Sequence, residues 1–159
     1  MRYLFISLTL LISFNSFSQS AKEYNENGLE KNKNKDYYGA IADYTKAIEI
    51  NPNYDYAYTN RAYSKRLLED YYGAIADYTK AIEINPNYAY AYSSRGVAKR
   101  LLEDYYGAIA DCTKAIEIDP NYAYAYSSRG YAKEKLEDYN GAMADYTKAV
   151  EVDPNYIYG

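Results

Sequence analysis

Few groups in this chain could do chemistry, and most of those recur. Of its 159 residues 25 are tyrosine, one is cysteine (Cys112), and none is histidine or tryptophan. Without histidine there is no imidazole base, no His-dependent triad and no histidine metal site. One thiol cannot build a thiolate zinc cluster and leaves no intramolecular disulfide. No glycine-rich loop runs into Lys and Ser or Thr to cradle a phosphate. Carboxylates are plentiful, but Asp43, Asp77, Asp111 and Asp145 return every 34 residues, as do Arg61, Arg95 and Arg129. An acid repeated four times is a solvated face, a cap or a structural partner, not a unique acid–base pair. The chain therefore reads as non-catalytic, with no cofactor and no metal. Structural Arg–carboxylate pairs between helices are the expected use of the recurring charges. What remains is the chemistry of recognition, since tyrosine joins a flat apolar ring to a hydroxyl.

The elements that position these groups follow from the same period. Gly39, Gly73, Gly107 and Gly141, and Pro52, Pro86, Pro120 and Pro154, each step by 34 residues. Such a step means stacked supersecondary units rather than one globular core. Between Gly73 and Tyr88, residues Ala74, Ile75, Tyr78, Ala81 and Ile82 fall on one helix face. Asp77, Lys80 and Glu83 lie off that face, open to water. Pro86 ends the helix, and Asn87 reads as the N-cap of the next. Helices are expected over 21–34, 38–50, 55–68, 72–84, 89–102, 106–118, 123–136 and 140–152, with Asp36 as an N-cap. Their short connections force antiparallel neighbours. The first helix is the most polar of its kind, as suits a unit at the end of an array. Lys65–Asp77 is identical to Lys99–Asp111, so copy number matters more than any single site.

Counted within each unit, position 4 holds Tyr24, Tyr58, Tyr92 and Tyr126, and position 8 holds Gly28, Ala62, Gly96 and Gly130. Position 20 holds Ala40, Ala74, Ala108 and Ala142. Position 24 holds Tyr44, Tyr78, Cys112 and Tyr146, so Cys112 reads as a buried structural thiol. Position 27 holds Ala47, Ala81, Ala115 and Ala149, and position 32 holds the four prolines. In these residues the chain resembles the tetratricopeptide repeat family over 21–156. The resemblance implies an all-α, right-handed superhelix (an α-solenoid) of four antiparallel helix pairs, spanning 21–54, 55–88, 89–122 and 123–156. The chain departs from the family at position 11, usually aromatic there and here Lys31, Lys65, Lys99 and Lys133.

At 100° per residue Tyr56, Thr59, Tyr63 and Arg66 share one stripe of a first helix. Its equivalents are Tyr90, Ser93, Val97 and Arg100, then Tyr124, Ser127, Tyr131 and Glu134, and in the first unit Lys22, Asn25, Leu29 and Asn32. In the family this stripe lines the concave groove, so the resemblance implies a groove that binds a protein or peptide, with Asn60 beside it. Rings, hydroxyls and Arg are the types that anchor an extended peptide. The alternative is that these tyrosines only cover neighbouring helices. Family members that clamp a partner's terminal carboxylate carry Lys, Asn, Asn, Lys and Arg at five sites. Here those sites hold Asn25, Leu29, Asn60, Tyr90 and Ser94. Only Asn60 matches, which disfavours such a clamp. A purely structural array and a glycan-binding module are the other readings.

The formal charge of −4 makes nucleic acid a poor partner. Arg2, the apolar run Tyr3 to Phe14, and Ser16-Phe17-Ser18 ahead of Gln19 read as a cleaved secretory signal over 1–18. The run falls short of the about 20 residues that a spanning helix needs. The expectation is export to a periplasm or beyond the cell, with no stable membrane anchor. At the other end, the helix bearing Met143, Tyr146 and Val150 would lie partly uncovered, so self-association through that end is a further expectation.

Overall fold

A computed structural model describes residues 19–155; the expected signal over 1–18 and residues 156–159 lie outside the described residues. Among the described residues there are eight helices and no strand. They are α1 (Ala21–Lys33), α2 (Tyr37–Ile50), α3 (Asp55–Leu67), α4 (Tyr71–Ile84), α5 (Ala89–Leu101), α6 (Tyr105–Ile118), α7 (Ala123–Lys135) and α8 (Tyr139–Val152). They form four antiparallel pairs stacked in chain order, an all-α solenoid.

Local chemistry sets the boundaries. α1 opens on a capping box: the Glu23 N–H donates to Ser20 Oγ at 3.2 Å, and the Ser20 N–H donates to Glu23 Oε2 at 2.6 Å. Each second helix starts one residue before its expected position. Asp36, Asp70, Asp104 and Asp138 are the N-caps, and each accepts from the N–H of the glycine three residues on at 2.9 Å. A Cβ on those glycines would run into the capping carboxylate.

The first helices end one residue earlier than expected. Asp36 N–H reaches back to Lys31 O at 2.9 Å and Lys35 N–H to Asn32 O at 3.0 Å, a Schellman closure. It places Lys35 at φ 61°, and Glu69, Glu103 and Glu137 stand equally left-handed at 62–63°. Asn87 is not an N-cap. Its N–H donates to Asn85 Oδ1 at 3.3 Å, and Tyr88 takes the cap position of α5 with no side-chain cap bond. An Asx turn around Pro86, from Asn85 to Asn87, claims the local polar groups instead.

The core alternates small and large side chains. Ala62, Ala74, Tyr78, Ala81, Ile82, Ala91 and Ala98 pack together, with Tyr58, Ile75, Tyr88 and Tyr92 against them. The alanines let helices approach, and the fully buried rings of Tyr44 and Tyr78 fill the space between. Cys112 occupies the equivalent place in the third unit and is buried; desolvation pushes its thiol up to about 12.

Asp77 corrects the sequence reading: it is buried, not open to water. Arg61 Nε and Nη2 donate to its two oxygens at 2.8 and 2.7 Å, and Lys65 Nζ lies 2.7 Å from Oδ2. Arg95–Asp111 and Arg129–Asp145 repeat the pair, so the expected Arg–carboxylate ladder is present. The lysines at position 11, where the family carries aromatics, complete it: Lys99 and Lys133 join the carboxylates of Asp111 and Asp145 at 2.8 Å. A buried carboxylate needs such partners, because desolvation costs several kcal/mol.

Candidate functional site

Beyond the sequential packing, α1 touches α3, α3 touches α5 and α5 touches α7, whereas α2, α4, α6 and α8 make no such approach to one another. First helices that crowd while second helices splay give an array that bends, with the first helices on the inner side. The Tyr-bearing stripe runs along these helices.

Direct contact between first helices consumes the middle of the stripe. Thr59, Ser93, Val97 and Ser127 are buried, which corrects their reading as groove surface. Thr59 Oγ1 donates to the Asp55 and Tyr56 carbonyls at 2.9 and 3.0 Å, Ser93 Oγ to Tyr90 O at 3.0 Å, and Ser127 Oγ to Tyr124 O at 3.2 Å. These small side chains bond back to their own helix, Ser93 Oγ also reaching the Tyr122 hydroxyl of the turn that follows at 3.5 Å, and their size lets the next helix close. Asn60 is likewise engaged: its Nδ2 donates to the buried Asn25 Oδ1 at 2.9 Å, tying α3 to α1.

The accessible part of the stripe is aromatic and cationic. Tyr56 is 55% exposed, and Tyr90 and Tyr131 are 38% exposed; Tyr63, Arg66, Arg100 and Tyr124 are half-buried. Tyr54, Tyr56, Tyr88 and Tyr90 form one run of rings, with centroids 6.5, 5.4 and 5.9 Å apart. Tyr122 and Tyr124 make a further pair at 6.0 Å. Burial pushes the Tyr88 phenol up to about 12. The turn residues Tyr54, Tyr88 and Tyr122 were missed in the sequence. Their signal was there, a tyrosine just before each of α3, α5 and α7, but it lay outside the helical stripe.

Guanidinium groups lie over the remaining rings: Arg66 is 5.1 Å from the Tyr63 centroid and Arg100 is 4.2 Å from that of Tyr131, with Lys135 Nζ at 5.3 Å from the latter. Among the described residues neither Arg66 nor Arg100 pairs with a carboxylate. Beside Arg66 and Ser94 sits the hydroxyl of buried Tyr78, and the Tyr44 hydroxyl in the first unit sits by Asn32. In the last unit the equivalent Tyr146 hydroxyl donates to Glu134 Oε2 at 2.8 Å. The repeats thus share a frame and differ in the polar groups set into it. Among the described residues no group of three acidic, Cys or His side chains could hold a metal, and no helix is long and apolar enough to cross a membrane.

The tetratricopeptide repeat family profile matches residues 56–88, 89–122 and 123–156, and a second profile of the same repeat matches 20–54. The chain belongs to the tetratricopeptide repeat family. No curated protein matches it in sequence. Among solved structures it is similar to the first tetratricopeptide domain of Spaghetti (RPAP3) bound to the HSP90 peptide SRMEEVD. That match has a TM-score of 0.73 and 31% identity, covering 76% of this chain and 95% of the other. It is also similar to MamA, with a TM-score of 0.81 and 22% identity over 89% of this chain and 83% of that one. MamA 41-end from Desulfovibrio magneticus RS-1 gives 0.78 and 20%, covering 87% and 78%. The MamA likenesses show the fold alone.

Proposed function

We propose that the chain is a non-catalytic scaffold that binds a protein or peptide segment laid along its first helices. The run of rings Tyr54–Tyr56–Tyr88–Tyr90 is the observation that carries this reading. It crosses from the junction before α3 to α5, so one extended segment can bury rings of three repeats at once. Tyr63, Arg66, Arg100, Tyr124 and Tyr131 extend the face on either side. A family relative seen with a bound peptide supports the class of partner. Export through a cleaved signal over 1–18 belongs to the same reading, and N-terminal sequencing of the recovered chain tests it: a start at Gln19 supports it and a start at Met1 overturns it.

Truncating a central aromatic of such a face costs about 2 kcal/mol of binding, roughly thirtyfold. The test is Tyr90→Ala with Tyr124→Ala, assayed for helical circular dichroism and for capture of partners from extract of the native compartment. Lost capture with retained helicity supports the face. Unchanged capture moves the function elsewhere, and competition by soluble cell-wall fragments turns it into glycan binding.

A second reading, self-association, draws on the exposure of Met143 (67%) and Val150 (43%) on α8. Head-to-tail continuation does not suit it. Ala57, Ala91 and Ala125, and Ser64, Ala98 and Ala132, are buried on α3, α5 and α7, whereas α1 carries exposed Glu23 and Glu30 at those places. Copies would meet through their two α8 faces, and light scattering at rising concentration decides: a monomer throughout removes this reading.

A further inference from the structure

We infer that the cleft at the N-terminal end of the array is a site for a guanidinium group, filled by an arginine side chain of a partner. The cleft measures about 450 Å³ and is lined by Gln19, Asn27, Glu30, Lys31, Asn34 and Asp43.

The other three repeats supply the template. In each, position 7 is arginine, and its Nε and Nη2 hold the position-23 carboxylate at 2.6–2.9 Å. The same guanidinium lies 5.6–5.7 Å from the ring of the position-4 tyrosine: Tyr58, Tyr92 or Tyr126. Its third nitrogen donates to a threonine of the preceding repeat at 3.0–3.1 Å.

Of the groups that hold this guanidinium, the first repeat keeps the carboxylate in the cleft and the tyrosine beside it, and among the described residues it has no threonine at the third place. Asp43 is the carboxylate and Tyr24 stands at position 4, but position 7 is Asn27, whose side chain is too short to reach as an arginine does. Lys31 Nζ pairs with Asp43 Oδ2 at 2.7 Å, as Lys65 does with Asp77. Among the described residues, the partner that Asp77 has in Arg61 is missing for Asp43. The cleft opens at that place, where Asp43 and Glu30 face Lys31. The planar fork of a guanidinium matches a carboxylate in two hydrogen bonds, and an ammonium does not.

The probe is Nα-acetyl-L-arginine amide, titrated into the recovered chain and followed by the backbone amide signals of the described residues. The expected result is shifts centred on Asn27, Lys31 and Asp43. Nα-acetyl-L-lysine amide, which cannot present two parallel donors to one carboxylate, should bind roughly tenfold more weakly. Asp43→Asn should abolish the shifts. Asn27→Arg should abolish them too while raising the denaturation midpoint, because it supplies the guanidinium from within. Agmatine separates the sources: if it binds as well as the arginine amide, the site serves a free small guanidinium rather than a partner's side chain. Equal response to the lysine amide, shifts centred elsewhere, or full binding by Asn27→Arg each overturn the site.

Discussion

Arg95 grips Asp111 with two parallel hydrogen bonds, Nε to Oδ2 at 2.8 Å and Nη2 to Oδ1 at 2.7 Å, and uses Nη1 to reach Thr79 of the repeat before at 3.0 Å. One side chain therefore joins three helices: its own α5, the partner α6 and the preceding α4. Asp111 is buried, and Lys99 is its other cation. Losing one partner of a buried pair leaves a desolvated charge behind. Arg95→Met should cost about 3 kcal/mol of stability. Arg95→Met with Asp111→Leu should recover much of it, since the buried charge then goes as well. Urea midpoints of the two variants check this, and equal loss in both would show that the arginine acts through packing alone.

The alanines at helix crossings set how closely the helices approach. Ala81 is fully buried in the cluster with Tyr78 and Ile82, while its neighbour Lys80 is exposed and pairs with Glu83 at 2.9 Å. Ala81→Leu should destabilise by about 2 kcal/mol through overpacking. Lys80→Leu should cost far less. Coincident denaturation midpoints for the two would contradict the packing described above.

The turn between helices carries strain that a single change relieves. Glu103 stands at φ 62° in the closure of α5, with its N–H on the Arg100 carbonyl at 2.9 Å. A side chain in this region costs about 1 kcal/mol relative to glycine. Glu103→Gly should raise stability by about that amount, and Glu103→Val should lower it, because a branched Cβ tolerates the region least. Thermal denaturation of both variants reads the sign directly.

Alkaline pH should unfold the array through its buried phenols. Desolvation pushes Tyr44 and Tyr88 up to about 12 and Tyr78 higher still. In the unfolded chain the same groups release their protons near the ordinary phenol value of about 10. Between those values the unfolded state binds fewer protons, so stability falls as pH rises above about 10 and is unaffected by these groups below it. Phenolate absorbance and helical circular dichroism, followed together, should show a late tyrosine fraction that ionises as the helices melt. One titration near pH 10 with the helices intact would contradict the burial.

The amino-acid sequence alone determined the period, the helices and their pairing, because each repeat states its own apolar face, its proline stop and its Asp cap within a few residues. It also determined the Arg–Asp ladder, since both partners keep a fixed place in the 34-residue unit. Tertiary structure decided which side of that unit meets water. Asp77 lies off the apolar stripe yet is buried, because Arg61 and Lys65 come to it from the neighbouring helix. Thr59, Ser93 and Val97 lie on the stripe and are also lost to solvent, because α3, α5 and α7 touch one another directly. Tyr54 and Tyr88 sit in turns, and only the stacking of one repeat on the next joins them to Tyr56 and Tyr90. Helical periodicity reports the faces of a single helix. Which faces stay open depends on distances between helices, and those are set by the alanines and buried rings that the whole stack brings together.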